Sequence, residues 1–273
     1  MTAILGFSCT DSVLMMADTE ETTSQYTKSD CDKLYRFNSP SGTVITGGAG
    51  DGHMIDCANQ ALQKFFEEGL PGTPDVPLDG QIILDGLNAF ARDFFSDTAV
   101  GYSDSGLEYP DFELLVAANI HKKQTLLFKL YRNTVLWLSP PRHECIGSGV
   151  VQLHPMLRDF RYITTTETAL FCGIRMMYQA KRILQGVGGK TEAIALQNDG
   201  ATHYFGTDNT ARIEELVVNF EEFLGKFLYT SVSNVSKEFP EIDANCEKSF
   251  ADMPDIFKQY RNKYKELIDN PIL

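Results

Sequence analysis

The chain opens with two short apolar runs, residues 3 to 8 (Ala-Ile-Leu-Gly-Phe-Ser) and 12 to 17 (Ser-Val-Leu-Met-Met-Ala), separated by Cys9-Thr10-Asp11. That pattern predicts two strands joined by a tight turn. A second strand pair is predicted at 33 to 38 and 42 to 47, around the turn signal Asn38-Ser39-Pro40-Ser41-Gly42. The period then changes from two to three and four. Met54, Ala58, Ala61, Leu62, Phe65 and Phe66 form one apolar stripe of a helix. Gly69-Leu70-Pro71-Gly72 stops it. A second helix is read from about 79 to 95, with Ile83, Leu87, Phe90 and Phe94 on one face, and 96 to 110 reads as a polar loop. Strands return at 112 to 120 and 124 to 131 across His121-Lys122-Lys123, then at 134 to 138 and 143 to 147. A third helix spans 167 to 185, carrying Leu170, Ile174 and Met177, and ends at Gly186 and Gly188-Gly189. The last hairpin, 191 to 196 and 203 to 205, turns at Asn198-Asp199-Gly200, a type I′ signature. From Arg212 onward only amphipathic helices are predicted, at 212 to 229 and 253 to 268.

Strands, two helices, strands, a helix and strands again, segregated along the chain, predict an α+β fold in which sheets carry helices on their outer faces. The chain has 273 residues, 43% of them hydrophobic and 22% charged, enough for one large domain with a sizeable core. A formal net charge of −13 argues against nucleic acid or an anionic membrane as main partner, because phosphate binding needs clustered Lys and Arg. The six cysteines (Cys9, Cys31, Cys57, Cys145, Cys172 and Cys246) form no CxxC pair, and Cys9 and Cys172 read as core. No N-terminal stretch reads as a signal peptide, and no apolar run is long enough to span a membrane, so a reducing cytoplasm is expected. His53, His121, His143, His154 and His203 show no metal-ligand spacing, and neither metal nor cofactor is expected. Gly186-Val187-Gly188-Gly189-Lys190 lacks both the spacing and the strand context of a phosphate-binding loop.

Thr2 is where chemistry first suggests itself. Removal of Met1 would leave a hydroxyl and an α-amine on one residue. An α-amine has an ordinary pKa of ~7.7–8.0 and serves as a general base near neutrality. Taken alone, Thr2 is an ordinary start of a chain. Asp18 at the end of the second strand and Lys33 at the start of the third could pair close to Thr2, where a cation would favour the neutral amine. An inert surface ion pair is the plain alternative. Gly47 and Gly48 allow a backbone N–H to approach a ligand, or simply turn the chain.

Taken together and in order, Thr2-Ala-Ile-Leu-Gly-Phe, Ala17-Asp18-Thr19-Glu20-Glu21-Thr22, Asp32-Lys33-Leu34-Tyr35, Thr46-Gly47-Gly48-Ala49-Gly50-Asp51, Ile146-Gly147-Ser148-Gly149 and Gly188-Gly189 resemble the proteasome β-subunit family of N-terminal-nucleophile (Ntn) hydrolases. The resemblance covers residues 2 to about 206. It implies a four-layer αββα Ntn-hydrolase sandwich over 2–206, with 207–273 as an α-helical C-terminal appendage. It implies Thr2 as nucleophile with its α-amine as base, Lys33 lowering the amine's pKa, Asp18 holding Lys33, and the Gly47 N–H as oxyanion donor. Ser148 would bond near the amine or a water. Thr22 and Ala49 would bind substrate backbone as an added strand. Ile45 would floor a pocket for a medium-sized apolar residue, with Cys31 and Tyr35 on its walls; Ile45 reads equally as core.

This chain also departs from the family. Leu184 and Val187 stand where active members carry an Asp and a Ser. Glu20, followed by Glu21, stands where an Arg is usual and makes the rim acidic, suiting basic or N-terminal-amine substrates or repelling acidic ones. Thr2 would be exposed by Met removal rather than self-cleavage. The resemblance implies a threonine-type peptidase acting on peptide or unfolded protein, in a homo-oligomeric ring or spiral that an ATP-dependent unfoldase could serve. A non-catalytic scaffold of the same fold and an amidase for a small amide are the alternatives. For the appendage, packing onto its own domain is favoured over a subunit interface.

Overall fold

A computed structural model describes residues 2–22, 28–68, 80–120, 124–140, 142–159, 163–232 and 255–268. The expected stop at 69–72 and turn at 121–123 lie outside them, as does Cys246.

The strands are β1 (Ala3–Ser8), β2 (Ser12–Asp18), β3 (Glu20–Thr22), β4 (Lys28–Asp30), β5 (Leu34–Ser39) and β6 (Gly42–Gly50), followed by helices α1 (Gly52–Glu67) and α2 (Gly80–Ser105). After these come β7 (Phe112–Ile120), β8 (Gln124–Tyr131), β9 (Thr134–Trp137), β10 (His143–Gly147), α3 (Val150–Asp159), α4 (Thr166–Ile183), β11 (Thr191–Gln197), β12 (Thr202–Phe205) and α5 (Thr207–Val232). Residues 255–268 are helical again.

One five-stranded sheet runs β10-β1-β2-β11-β12, a second runs β5-β6-β7-β8-β9, and β3 and β4 pair as a small ribbon. All pairings are antiparallel, with Ile4 opposite both Ala17 and Ile146. β1 and β2 are buried at every residue, so they read as continuous apolar runs rather than alternating ones. The reason is the layering of the core. Ile4, Met15, Ala17 and Ile194 of the first sheet meet Leu34, Ile45, Leu115 and Leu127 of the second. The other face of the first sheet, with Leu5, Phe7 and Met16, packs on Leu153 of α3, Leu170 and Met177 of α4, and Ile213, Leu216 and Val217 of α5. The outer face of the second sheet, with Val116 and Phe128, packs on Leu62 and Phe66 of α1 and Ile83 and Leu87 of α2. Each such large apolar side chain contributes about 1.5–3 kcal/mol on burial.

Several elements differ from the sequence expectation. α2 continues ten residues past 95, to Ser105. Its polar end is anchored from outside the helix: Thr98 Oγ1 lies 2.9 Å from the Tyr109 hydroxyl, and the Tyr102 and Tyr109 rings meet edge to face. α3 is additional to the expected elements; Pro155 lies inside it, although proline disfavours helix interiors, and Leu153 and Leu157, one turn apart, are both buried. The β11–β12 turn is not type I′, which needs two left-handed residues. Gly200 alone there has positive φ (85°), and the Gln197 N–H donates to Ala201 O at 2.8 Å. The helical residues 255–268 place Leu267 in the same core cluster as Ile213 and Leu216, with Tyr260 and Tyr264 against it.

Candidate active site

Thr2 is positioned from both sides. Its backbone N–H donates to Ser148 Oγ (3.1 Å), and Ser148 Oγ donates back to Thr2 O (3.3 Å). The Gly149 N–H also reaches Thr2 O, at 3.4 Å. Gly147, paired with Ala3, has φ +90°, and a Cβ there would sit 2.2 Å from Thr2 O. The Gly-Ser-Gly sequence at 147 to 149 is therefore the turn that seats Ser148 on the head of β1.

One residue further on, Asp18 ends β2. Its Oδ1 accepts the Ala3 N–H at 2.9 Å and lies 3.0 Å from Lys33 Nζ; its Oδ2 accepts the Gly188 N–H at 3.2 Å. The Asp18 side chain is fully buried and that of Lys33 is 8% exposed. Lys33 Nζ also donates to Glu20 O at 2.6 Å. This is no surface ion pair. An ammonium and a carboxylate withdrawn from water are held by three further hydrogen bonds, as a buried pair requires.

Two clefts meet at Thr2. One, of about 410 Å³, is lined by Thr2, Lys33 and Gly48, by Cys31 and Tyr35, and by Glu21, Asp32 and Asp56 among others. The second, of about 550 Å³, is lined by Thr2, Ala49, Gly147 and Ser148 on one side and Asp111, Glu113, Lys129 and Tyr131 on the other. Glu113 and Lys129 pair at 3.1 Å.

The structure thus gathers Thr2, Asp18, Lys33 and Ser148, and sets Cys31, Tyr35 and Ala49 on cleft walls. Gly47 lines neither cleft. It sits mid-strand in β6 opposite Leu34 and Leu115, where a Cβ would come within 3.2 Å of Leu34, Ile4 and Met15. Ile45 lines neither cleft; it is fully buried between the sheets. An outward step to either cleft would take it out of the inter-sheet core, so the expected apolar floor is not built by this residue. Thr22 lies in β3, and its side chain is outside the described residues. Val187 is buried in the outer core and Leu184 packs against the same cluster. Glu20 does not share the cleft wall with Glu21; its carboxylate lies against Gly188, where a Cβ would be 2.6 Å from Oε2.

Sequence reasoning missed Ile55, Asp56 and Asn59, which α1 presents to the first cleft. Asn59 was the available signal, a polar residue within an apolar helical stripe; it is buried and accepts from Thr46 Oγ1 at 2.7 Å. It also missed Glu192, a lone carboxylate in an apolar strand. Glu192 Oε1 accepts the N–H groups of Lys33 (2.5 Å) and Leu34 (2.9 Å). Burial pushes its pKa from 4.5 up to about 7 against those two bonds. Four of the thiols are disfavoured as thiolates. Burial pushes Cys9 and Cys145 to about 12 and Cys172 to about 11, and burial and the neighbouring Glu21 also raise Cys31. Among the described residues no three His, Cys, Asp or Glu side chains are grouped to hold a metal ion, and no helix is long and apolar enough to cross a membrane.

The Proteasome subunit family model matches residues 2–75, the stretch that carries the head-of-strand threonine and the buried Asp–Lys pair. The fold is that of solved Anbu (ancestral β-subunit) structures. Anbu from Yersinia bercovieri aligns with TM-score 0.65 and 14% identity, over 83% of this chain and 96% of that one. The helical assembly of the Anbu complex from Pseudomonas aeruginosa gives 0.66 and 16%, over 83% and 95%. An Anbu Gly-1 mutant from Hyphomicrobium sp. strain MC1 gives 0.61 and 12%, over 83% and 97%. No curated protein sequence matches.

Proposed function

We propose that the chain is a threonine-type Ntn peptidase whose nucleophile is Thr2 once Met1 is removed, built on the four-layer αββα sandwich of that class with 207–273 as its helical extension. The observation that carries this reading is the placement of Thr2: its nitrogen is on Ser148, and its cleft is shared with a Lys33 whose charge Asp18 holds. Freed of Met1, that nitrogen is the general base. The Thr2 hydroxyl attacks the scissile carbonyl carbon and the amine takes its proton. A backbone N–H of β6 at the cleft wall, where Gly48 rather than the expected Gly47 is the lining residue, stabilises the oxyanion, an interaction worth about 3–4 kcal/mol where such donors have been removed. The protonated amine then gives its proton to the leaving nitrogen, and an ester remains on Thr2. Water attacks the ester, releases the acid and restores the hydroxyl. The Lys33 ammonium keeps the amine deprotonated near neutrality.

Carboxylates line both clefts, with Glu21, Asp32 and Asp56 on one and Asp111 and Glu113 on the other. Lys33 and Lys129 are each paired with an acid. Peptides carrying basic side chains are therefore the favoured substrates, in place of the apolar preference that Ile45 implied. The assigned setting is the cytoplasm, in a homo-oligomer such as the helical assembly described for the Pseudomonas Anbu complex, fed by an unfoldase.

The test is intact-protein mass spectrometry before and after an epoxyketone, which closes a ring on both hydroxyl and α-amine. Loss of Met1 and one adduct localised to Thr2 is the expected result. A retained Met1 sinks the mechanism. Burial of Val187 and packing of Leu184 in the outer core favour the second reading, a non-catalytic subunit; an unblocked Thr2 that takes no adduct would point to it or to an amidase for a small amide.

A further inference from the structure

The proposed chemistry leaves one buried carboxylate without a task. Glu192 lies on β11 opposite Ala17 and is 1% exposed. Ile194 and Leu196, two and four residues on, share its face and fill the core between the sheets. Glu192 instead spends a charge there. A single oxygen, Oε1, takes the N–H of Lys33 and that of Leu34. β11 belongs to the first sheet and β5 to the second, so this oxygen ties the start of one sheet's edge strand to the other sheet. The backbone step it holds is the one that sends Lys33 Nζ to Asp18 and Glu20 O and sets Leu34 in register with Gly47. An anion buried among aliphatic side chains is disfavoured unless charge-assisted hydrogen bonds offset its lost hydration, and these two bonds are the ones it makes.

We propose that Glu192 is a positioning residue for Lys33: its carboxylate clamps the Lys33–Leu34 backbone and so keeps the Lys33 ammonium on Asp18 in the cleft that Thr2 lines. The catalytic consequence rests on Thr2 being the nucleophile; the clamp itself does not. The titratable groups facing Glu192 are Cys31, Asp32 and Lys33 on the connection before β5, and Tyr204 on β12. Burial raises both the Cys31 thiol and the Tyr204 hydroxyl, so both stay neutral around pH 7. The change of charge in the neutral range thus falls on Glu192 itself, whose carboxyl burial raises to about 7. Protonation removes the charge from both clamp bonds and loosens the step that carries Lys33.

The experiment uses the full chain with labelled lysine side chains, the Lys33 signal being assigned by its loss in Lys33→Arg. Wild type, Glu192→Gln and Glu192→Asp are titrated through neutrality; the shorter acid keeps the charge should the amide fold poorly. In wild type the Lys33 signal should move with a midpoint near that of Glu192. The step due to Glu192 should persist in Glu192→Asp and vanish in Glu192→Gln, leaving only the step of the Thr2 amine in the same cleft. Exchange of the Lys33 and Leu34 amides should accelerate on the order of tenfold in Glu192→Gln. The epoxyketone labelling rate at Thr2 is read in parallel. Its acid limb should have a logarithmic slope of about two in wild type, where both the amine and Glu192 must lose a proton, and about one in Glu192→Gln. A Lys33 titration that is the same in wild type and Glu192→Gln, or amide exchange unchanged by the substitution, overturns the clamp. A clamp that responds while Thr2 is labelled with the same slope in both proteins makes Glu192 merely structural and overturns its positioning role. A responding clamp in a protein whose Thr2 takes no label leaves the clamp standing and removes the nucleophile assignment instead.

Discussion

Asp18 Oδ1 lies 3.0 Å from Lys33 Nζ and 2.9 Å from the Ala3 nitrogen, so one carboxylate oxygen ties the cation to the strand that Thr2 begins. The pair is out of water, and its members are not separable. Lys33→Met leaves a buried unpaired carboxylate and should cost about 3–5 kcal/mol in urea unfolding. Asp18→Asn combined with Lys33→Met should recover most of that loss, because no buried charge remains unpaired. Neither variant should label at Thr2. Recovery of labelling in the double variant would remove Lys33 from the mechanism.

Ser148 makes its bonds to Thr2 from an exposed turn, so its removal should affect chemistry more than folding. Ser148→Ala should lower the labelling rate by about 10²-fold, the lower range for a positioned proton-transfer partner. It should cost about 1 kcal/mol of stability, the worth of one hydrogen bond. Labelling kinetics and thermal unfolding on the same preparation separate the two effects.

Glu192 makes stability fall as pH rises. Its carboxyl titrates at 4.5 when unperturbed and at about 7 in the fold, where burial is the largest cause. Between those values the folded chain holds a proton that the unfolded chain has released, so unfolding is favoured increasingly as pH climbs. The contribution is present in full below pH 4.5 and lost by about 7. It amounts to about 3 kcal/mol at about 1.4 kcal/mol per pH unit. Urea unfolding at pH 5 and pH 8 should show this fall in wild type and a much smaller one in Glu192→Gln.

The acidic clefts set a preference that can be measured. Fluorogenic peptides with Arg at the cleaved position should be turned over faster than matched peptides with Glu, and Asp56→Asn should narrow the ratio. The ratio should also shrink between low salt and about 1 M salt, where the screening length falls to about 3 Å. A ratio insensitive to both salt and Asp56 would place selectivity in shape rather than charge.

Much of this protein is legible in order along the chain. Apolar runs and turn residues delimit β7, β8 and β10 because a strand's burial and a turn's chemistry are local properties. The stripe of α1 is visible for the same reason. Thr2, Asp18, Lys33 and the Gly-Ser-Gly at 147 to 149 stand out because each belongs to a short motif at a strand end. α3 and the last ten residues of α2 are not legible. Pro155 argues against the first, and the second is held by Tyr109, which lies outside the helix.

The sequence by itself determined the alternation of strands and helices, the apolar faces, and which polar residues stand at strand ends. All of these follow from the period of side chains along a backbone and the conformational limits of glycine and proline. Tertiary structure alone decided that Ile45 faces the other sheet while Ile55 faces the cleft, for both are isoleucines and only the neighbouring layer distinguishes them. It also decided that Glu192 reaches Lys33. Those residues are 159 apart in the chain, and what joins them is the stacking of two sheets, which no local pattern encodes.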